Sequence, residues 1–267
     1  MIRIATAHHH NTDWIEIQRR YLDRFCSEPF VLYGSLEGVD AEYERHFDVV
    51  VPSLGNHAGK LNLLGRVMVD DGEPDDLLVF LDGDAFPIAD PIAPARRLLA
   101  DHALVAVQRL ENHGDSQPHP CFCVVRADTW SNLPGDWSSG HPFRDGRTDV
   151  GGNLAWLLDR AGLTWAPLLR SNTVDLHPLL FGIYGGVVYH HGAGFRGMKP
   201  PGQGRTKFEP KLPQTTQSQA AMEKMQKNVP KERLDAIIAQ AMEDAVLSDR
   251  IYQQILTDPD FYRQFLA

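Results

Sequence analysis

One uninterrupted apolar run constrains the fold of this 267-residue chain more than any other feature. Residues 77–81 read Leu-Leu-Val-Phe-Leu and are bounded by Asp76 and Asp82. Such a run predicts a strand that is buried on both faces, which occurs where helices cover both sides of a parallel sheet. The sequence therefore predicts an α/β fold with this strand in its interior.

The segments around this strand alternate between β-like and helical patterns. Strands are predicted at residues 2–7, 30–33, 47–51, 103–108, 121–125 and 187–190, and helices at 13–25, 58–69, 92–100 and 152–161. This order predicts a mostly parallel sheet that is flanked by helices.

The last part of the chain has a different character. Residues 192–213 are rich in Gly, Pro and basic residues, which is typical of an extended loop or linker. Residues 217–267 are polar with a helical pattern, and Pro230 and Pro259 mark breaks. We predict an α/β domain over residues 1–213 and a helical C-terminal appendage over 214–267, whose apolar residues pack on the body or form a homodimer seam.

Composition argues against several partners. A net charge of -9 and a pI near 5.7 argue against binding to nucleic acid, which requires a concentrated basic face. The absence of a leader pattern and of a bilayer-length apolar run predicts a chain without a transmembrane segment, in the cytoplasm. Three cysteines without paired or zinc-site spacing fit a reducing compartment.

Asp82, Gly83 and Asp84 follow the buried strand directly. Ligands of open α/β sheets bind at the carboxyl ends of the strands. Two carboxylates on a turn form a hard oxygen site for Mg²⁺ or Mn²⁺, and the cation can bridge the phosphates of a nucleotide diphosphate. Gly83 allows a turn and a close approach of the diphosphate. A solvated acidic turn is the alternative interpretation.

The strand and its acidic turn resemble the nucleotide-sugar glycosyltransferases of the GT-A fold, whose DxD motif binds the metal and the donor diphosphate. The resemblance covers roughly the first two hundred residues and implies a Rossmann-like, mixed sheet. It implies a metal-dependent enzyme that transfers a sugar from a UDP- or GDP-sugar to a hydroxyl of a sugar or small-molecule acceptor. Asp82 would lie nearer the ribose, and Asp84 would be the firmer metal ligand.

Residues 187–201 resemble the His-x-x-Gly-x-x-Lys-Pro pattern of retaining enzymes of the glycogenin and lipopolysaccharide galactosyltransferase type. The resemblance implies His191 as a third metal ligand and Lys199 on the diphosphate. Two extra residues precede Lys199, and Arg196 is the alternative contact for the same anion. Because strand neighbours point to opposite faces, one histidine of the pair His190 and His191 is expected to bind, and His191 is preferred.

Other contacts follow from the same resemblance. Thr6, Ala7 and His8 follow the first strand, where GT-A enzymes receive the base and ribose, and Lys60 and Asn62 precede the acidic turn on a predicted helix. We expect these five residues to contact the nucleotide, with a solvated helix face as the alternative for Lys60. The triplet of residues 8–10 is too short to predict a metal site by itself.

Asp149 is a candidate general base, since many GT-A enzymes place an acidic residue beneath the sugar or acceptor in this part of the chain. Such a base must reach the acceptor hydroxyl, whereas a helix cap needs only a carboxylate at this position. An Asp149 base would mean inversion, the His191 pattern favours retention, and we favour retention. The polar stretch 108–123 is either an acceptor loop or an ordinary surface loop.

Two other functions fit parts of the sequence. A phosphatase or phosphotransferase would use Asp82 as nucleophile and Asp84 as acid, but its motif usually lies near the chain start. A non-catalytic sugar-nucleotide-binding module would use the tail for docking. Activity on a generic phosphomonoester would favour the first, and binding without turnover would favour the second.

Overall fold

The computed structural model describes residues 1–112, 114–139, 148–192 and 231–267. The chain divides into two compact units, one of residues 1–190 with 264–267 and the other of residues 191–263. The domain boundary expected at residue 213 lies outside the described residues and stays a prediction.

The first unit is built on a seven-stranded sheet and a smaller three-stranded one. In chain order the strands are β1 (Ile2–His9), β2 (Phe30–Glu37), β3 (Val49–Val51), β4 (Leu77–Asp82), β5 (Ala85–Pro87), β6 (Leu104–Val107), β7 (His119–Arg126), β8 (Trp165–Leu168), β9 (Gly182–Tyr184) and β10 (Val188–His190). The large sheet has the order β3-β2-β1-β4-β7-β6-β8. Strand β7 runs antiparallel to β4 and β6, and the other neighbouring pairs are parallel. The sheet confirms the mixed, mostly parallel class.

Helices cover both faces of the large sheet. They are α1 (Ile15–Phe25), α2 (His57–Asp70), α3 (Ile92–Leu98), α4 (Ala127–Asn132) and α5 (Gly152–Ala161), and short 3-10 turns lie at Ala41–His46 and Phe261–Phe265. Helices α1 and α3 contribute to the apolar cluster on one face, through Leu22 and Ile92 among others. Helices α2, α4 and α5 contribute to the cluster on the other face, through Leu61, Trp130 and Leu158 among others.

Strand β4 lies at the centre of this arrangement and is buried along its whole length. Leu77, Val79 and Leu81 belong to one cluster, while Leu78 and Phe80 belong to the other, because successive strand side chains point to opposite faces. Burial of a large apolar side chain contributes about 1.5–3 kcal/mol. The apolar run therefore fixes β4 between two helical layers, as predicted, and delivers Asp82 to its carboxyl end.

Helix α2 packs beside β4 and begins at a defined cap. The side chain of Asn56 accepts a hydrogen bond from the Gly59 amide at 2.9 Å, which satisfies one of the free amides of the first turn. Leu61, Leu64 and Met68 recur at helical spacing and are buried against the sheet. The cap and the apolar stripe together place His57, the first residue of the helix.

The small sheet consists of β5, β10 and β9 in that order, and its pairs are antiparallel. His190 of β10 pairs with Ala85 of β5. The sequence did not predict β5 and β9, because each has only three residues and carries no clear alternation. This register nevertheless determines which side chains face the acidic turn.

The second unit contains helix α6 (Lys231–Thr257). Ala245, Ser248, Ile251 and Ile255 are buried and form one stripe of this helix. The helix ends before Pro259, as expected, while the expected break at Pro230 lies outside the described residues. No described helix combines the length and the apolar composition needed to cross a membrane.

Candidate functional site

Asp82, Asp84 and His190 form the core of the candidate site. One ligand atom from each side chain lies within 4.8 Å of the others. His190 Nε2 is 3.3 Å from Asp84 Oδ1 and 3.8 Å from Asp82 Oδ2. The side chains of Asp82 and His190 are 8% and 6% exposed, whereas that of Asp84 is 18% exposed. The group therefore offers two carboxylates and one imidazole, with Asp84 nearest to solvent.

Backbone contacts hold the acidic turn in place. Gln18 is a buried residue of α1, and its side-chain Nε2 donates to the carbonyl oxygens of Asp82 and Ala85 at 2.8 Å each. The pairing of Ala85 with His190 then brings the imidazole to the residue next to Asp84. Helix α1 thus holds both ends of the turn, and the small sheet also holds the end at Ala85.

Gly83 is required by a close approach to β1. A Cβ atom at this position would lie 2.8 Å from the Ala7 carbonyl oxygen and 2.9 Å from His8 Nδ1. These distances are too short for a side chain, so the glycine lets the turn pack directly against the first strand. The expected close approach of a diphosphate to Gly83 stays a prediction.

Three histidines surround the Asp82 carboxylate. His57 Nε2 is 3.0 Å from Asp82 Oδ1. Burial would raise the pKa of Asp82, but the hydrogen bond and the charge interaction with His57 outweigh this effect and hold the pKa well below its ordinary value. Because an ionised carboxylate only accepts hydrogen bonds, Nε2 of His57 carries the proton in this contact.

His119 opens β7 beside the same carboxylate. Its Nδ1 accepts a hydrogen bond from the Cys121 amide at 3.1 Å, and its ring centre lies 5.9 Å from that of His190. Burial lowers the pKa of His119 to about 3, against the opposing charge of Asp82. The His119 ring is therefore neutral at neutral pH, and it places a polar but uncharged group beside Asp82.

The histidine grouped with the aspartates is His190, whereas the sequence pattern preferred its neighbour. His191 is buried in the second unit, where its Nε2 is 2.7 Å from Ser248 Oγ. The pairing of β10 with β5 explains why His190 rather than His191 lies beside the aspartates, since this pairing sets the direction of the His190 side chain. Metal binding by His191 stays a prediction. Arg196 and Lys199, expected at the diphosphate, lie outside the described residues.

Thr6, Ala7 and His8 lie within β1, near its carboxyl end, rather than after the strand as expected. Ala7 is in register with Asp82 across the sheet. Thr6 Oγ1 and His8 Nε2 are buried and have no hydrogen-bond partner among the described residues. Burial lowers the pKa of His8 to about 4, despite a Gln18 hydrogen bond and the Asp84 charge, both of which act to raise it. The nucleotide role of these residues stays a prediction, and the two unused atoms are compatible with it.

Lys60 and Asn62 of α2 already have protein partners. The Lys60 ammonium is buried and forms an ion pair with Glu37 at the end of β2. Asn62 accepts from the Trp137 amide at 2.8 Å and donates to Asp136 Oδ1 at 2.6 Å. Both polar groups of Asn62 are thus used in a structural contact. The expectation that these residues contact the nucleotide stays a prediction.

Asp136 is the hub of this contact network. Its carboxylate also accepts from the Ser138 amide and hydroxyl and from Asn153 Nδ2, at 2.9, 2.7 and 2.8 Å. Burial would raise the pKa of Asp136, but these hydrogen bonds and that of Asn62 lower it. The network joins α2 to the first turn of α5.

Asp149 precedes α5 but does not cap it. The helix begins at Gly152, and its N-cap is Gly151 in the left-handed conformation, without a side-chain cap bond. The Asp149 carboxylate is exposed and accepts from the Val150 amide at 2.8 Å. The helix-cap alternative for Asp149 is therefore wrong, while its role as a base stays a prediction.

Two buried polar groups in the connection before β7 were not predicted from the sequence. Arg109 Nε and Gln117 Nε2 are buried and have no hydrogen-bond partner among the described residues. Arg109 lies close enough to His119 for its charge to act on that ring. Both residues belong to the long connection between β6 and β7, whose polar composition was the only available signal.

No protein-family model and no curated protein matches the sequence. The mannosyltransferase PcManGT from Pyrobaculum calidifontis, in complex with GDP-Man and Mn²⁺, is similar with a TM-score of 0.46 and 12% identity, over 66% of this chain and 58% of that chain. The glycosyltransferase GlyE of Streptococcus pneumoniae has a TM-score of 0.41 and 13% identity, over 62% of this chain and 45% of that one.

An active-site mutant of the galactosyltransferase LgtC is also similar, with a TM-score of 0.45 and 11% identity, over 86% of this chain and 98% of that chain. The chain thus spans less than two thirds of the length of PcManGT and of GlyE. These likenesses are to glycosyltransferases, but at such TM-scores they do not carry an assignment of function.

Proposed function

We propose that this chain is a metal-dependent glycosyltransferase that moves a sugar from a nucleotide-diphosphate sugar to a hydroxyl acceptor. The observation that carries the proposal is the group of Asp82, Asp84 and His190 at the carboxyl end of the central strand. Ligands of open α/β sheets bind at this edge. A uridine or guanosine donor and retention at the anomeric carbon are the more specific parts of the proposal.

The residues present fit a divalent cation. Carboxylate oxygens with one imidazole suit Mn²⁺, and carboxylate oxygens with water suit Mg²⁺. When bound, such a cation neutralises the charge that develops on a departing diphosphate. Asp82, Asp84 and His190 would hold it, and the low pKa of Asp82 keeps that ligand ionised at neutral pH.

The protein's own groups then have distinct roles in the proposal. His57 orients Asp82, and Gln18 fixes the backbone of the turn. Thr6 and His8 contact the nucleotide through Thr6 Oγ1 and His8 Nε2, which are buried without a hydrogen-bond partner among the described residues. Asp149 is exposed and accepts a local hydrogen bond from the Val150 amide, and an exposed carboxylate is accessible to an acceptor hydroxyl.

The test is a thermal-shift panel of nucleotide diphosphates and sugar nucleotides with and without Mn²⁺. A ligand that binds only the native state raises the unfolding temperature by mass action. We expect a Mn²⁺-dependent shift with a nucleotide diphosphate that Asp84→Asn abolishes. Asp101→Asn, which changes an exposed acid in a turn before β6, is the matched control. An equal shift in Asp84→Asn would remove Asp84 from the site.

Product analysis separates the alternative functions. Transfer requires release of nucleoside diphosphate together with a glycosylated acceptor. Phosphate release from a generic phosphomonoester would support a phosphatase instead, and binding without turnover of any donor would support a silent binding module. The homodimer through the C-terminal helices and the cytoplasmic location remain proposals, which gel filtration and cell fractionation test.

A further inference from the structure

A second group of metal-binding side chains lies at the ends of β1 and β2. His9 and Glu37 are paired residues of these parallel strands, and His10 follows directly. One ligand atom from each of the three side chains lies within 4.8 Å of the others. Their composition of two imidazoles and one carboxylate differs from that of the site at Asp82 and Asp84.

The backbone brings these neighbouring histidines to the same side. Successive residues of a strand point to opposite faces, so His9 and His10 would normally diverge. His10, however, has a φ of 48°, in the left-handed region that non-glycine residues rarely adopt. Its amide donates to the Glu37 carbonyl oxygen at 2.7 Å, and the two imidazole centres come within 4.4 Å.

Gly38 makes room for the second ring. A Cβ atom at Gly38 would lie 2.0 Å from His10 Nδ1, so any other residue here would displace the imidazole. The glycine itself has a φ of 61°. His10 and Gly38 both have left-handed backbone conformations, and together they place the His10 ring beside the Glu37 carboxylate.

The distances and exposure fit a cation of the zinc type. His9 Nδ1 is 3.1 Å from Glu37 Oε2, close to the roughly 3.3 Å that separates two ligand atoms around a tetrahedral Zn²⁺. Lys60 and Ser53 donate to the same oxygen, Oε2, and hold the carboxylate in place, so a cation would share Oε2 with these donors or bind Oε1. The side chains of His9 and Glu37 are 63% and 38% exposed, which leaves space for a water ligand.

We propose that His9, His10 and Glu37 form a second metal site, specific for Zn²⁺ or a similar borderline cation. Two histidines and a glutamate with one open position are a ligand set that Zn²⁺ uses in proteins, whereas Mn²⁺ and Mg²⁺ prefer sites richer in oxygen. The cation would tie the end of β1 to the end of β2. Lys60, an expected nucleotide contact, bonds to Glu37 of this site, but the proposal itself requires neither the transferase function nor a donor.

The test uses the full chain without a histidine tag, in the Asp84→Asn background so that the other site does not compete. Zn²⁺ is titrated by calorimetry, and Co²⁺ is added as a spectroscopic probe of tetrahedral coordination. We expect one equivalent of Zn²⁺ to bind and a visible Co²⁺ absorption band to appear. A chain that binds no Zn²⁺ in this background would overturn the proposal.

Substitutions then assign the ligands. His10→Asn is chosen because asparagine tolerates the left-handed conformation, and His9→Gln alters an exposed ring, so both variants should fold. Each should weaken Zn²⁺ binding by about tenfold or more. His102→Gln, which changes a half-buried histidine before β6, is the control. Unchanged Zn²⁺ affinity in the double variant His9→Gln, His10→Asn would also overturn the proposal.

Discussion

The contact between His57 and Asp82 leads to a quantitative prediction about cation affinity. His57 Nε2 holds Asp82 Oδ1 at 3.0 Å, while Asp82 Oδ2 is on the side of His190. One carboxylate oxygen is thus used to orient the group, and the other remains for a cation. Residues that orient ligands in this way typically change metal affinity 10- to 100-fold when they are replaced.

The size of the effect follows from the hydrogen bond. A hydrogen bond to a charged group contributes about 1.5–3 kcal/mol, and about 1.4 kcal/mol corresponds to a factor of ten in a dissociation constant. His57→Leu should therefore weaken Mn²⁺ binding by about 10- to 100-fold. His57→Gln, which keeps an N–H near the position of Nε2, should restore much of the lost affinity.

The assay is a Mn²⁺ titration followed by the electron paramagnetic resonance signal of the free ion. His102→Leu serves as control, since His102 is a half-buried histidine before β6 whose Nδ1 is 3.0 Å from Thr164 Oγ1. Thermal unfolding without metal checks that each variant folds. A His57→Leu affinity within about threefold of the parent, or tighter than it, would refute the reasoning, because His57 would then be neutral or a competitor for the carboxylate.

Three further substitutions test the frame of the site. Gln18→Leu leaves two buried carbonyls at the acidic turn without their donor, so it should lower the free energy of unfolding by roughly 2–4 kcal/mol in urea titrations. Gly83→Ala forces a methyl group against the Ala7 carbonyl and should cost about 1–3 kcal/mol in unfolding experiments, with weaker Mn²⁺ binding. Asp136→Asn should destabilise by roughly 1–3 kcal/mol at pH 7. Since the pKa of Asp136 is lowered in the fold, its contribution is present above the ordinary value of 3.8 and is lost as the pH falls below it. Urea midpoints of parent and variant should therefore converge as the pH falls below 3.8, and a constant difference would contradict this account.

The central strand and its acidic turn were predictable because their signals are local. A run of five apolar residues specifies burial on both faces, and Asp82 follows it in sequence. The antiparallel direction of β7 was not predictable, since its apolar side chains read the same in either direction. The mixed character of the sheet came from the resemblance, not from periodicity.

The remaining parts of the site depend on contacts between distant segments. His57 lies on a helix that precedes β4, and nothing in its immediate sequence marks it as a partner of Asp82. The choice between His190 and His191 is set by the register of β5 and β10. These strands have three residues each and are too short for sequence periodicity to predict their register. Arg109 and Gln117 stand out only in the structure, where Arg109 Nε and Gln117 Nε2 are buried without a hydrogen-bond partner among the described residues.

Because β10 pairs with β5, the affinity for a cation depends on whether this late part of the chain has folded. Asp82 and Asp84 lie in the segment of β4 and β5, whereas His190 lies far later in the chain. The His190 imidazole reaches the carboxylates only when β10 pairs with β5. A species that lacks this last strand would hold a cation through its carboxylates alone. Since a cation that prefers the complete ligand set favours the state that has it, divalent ions should select the fully assembled molecule over partly folded ones.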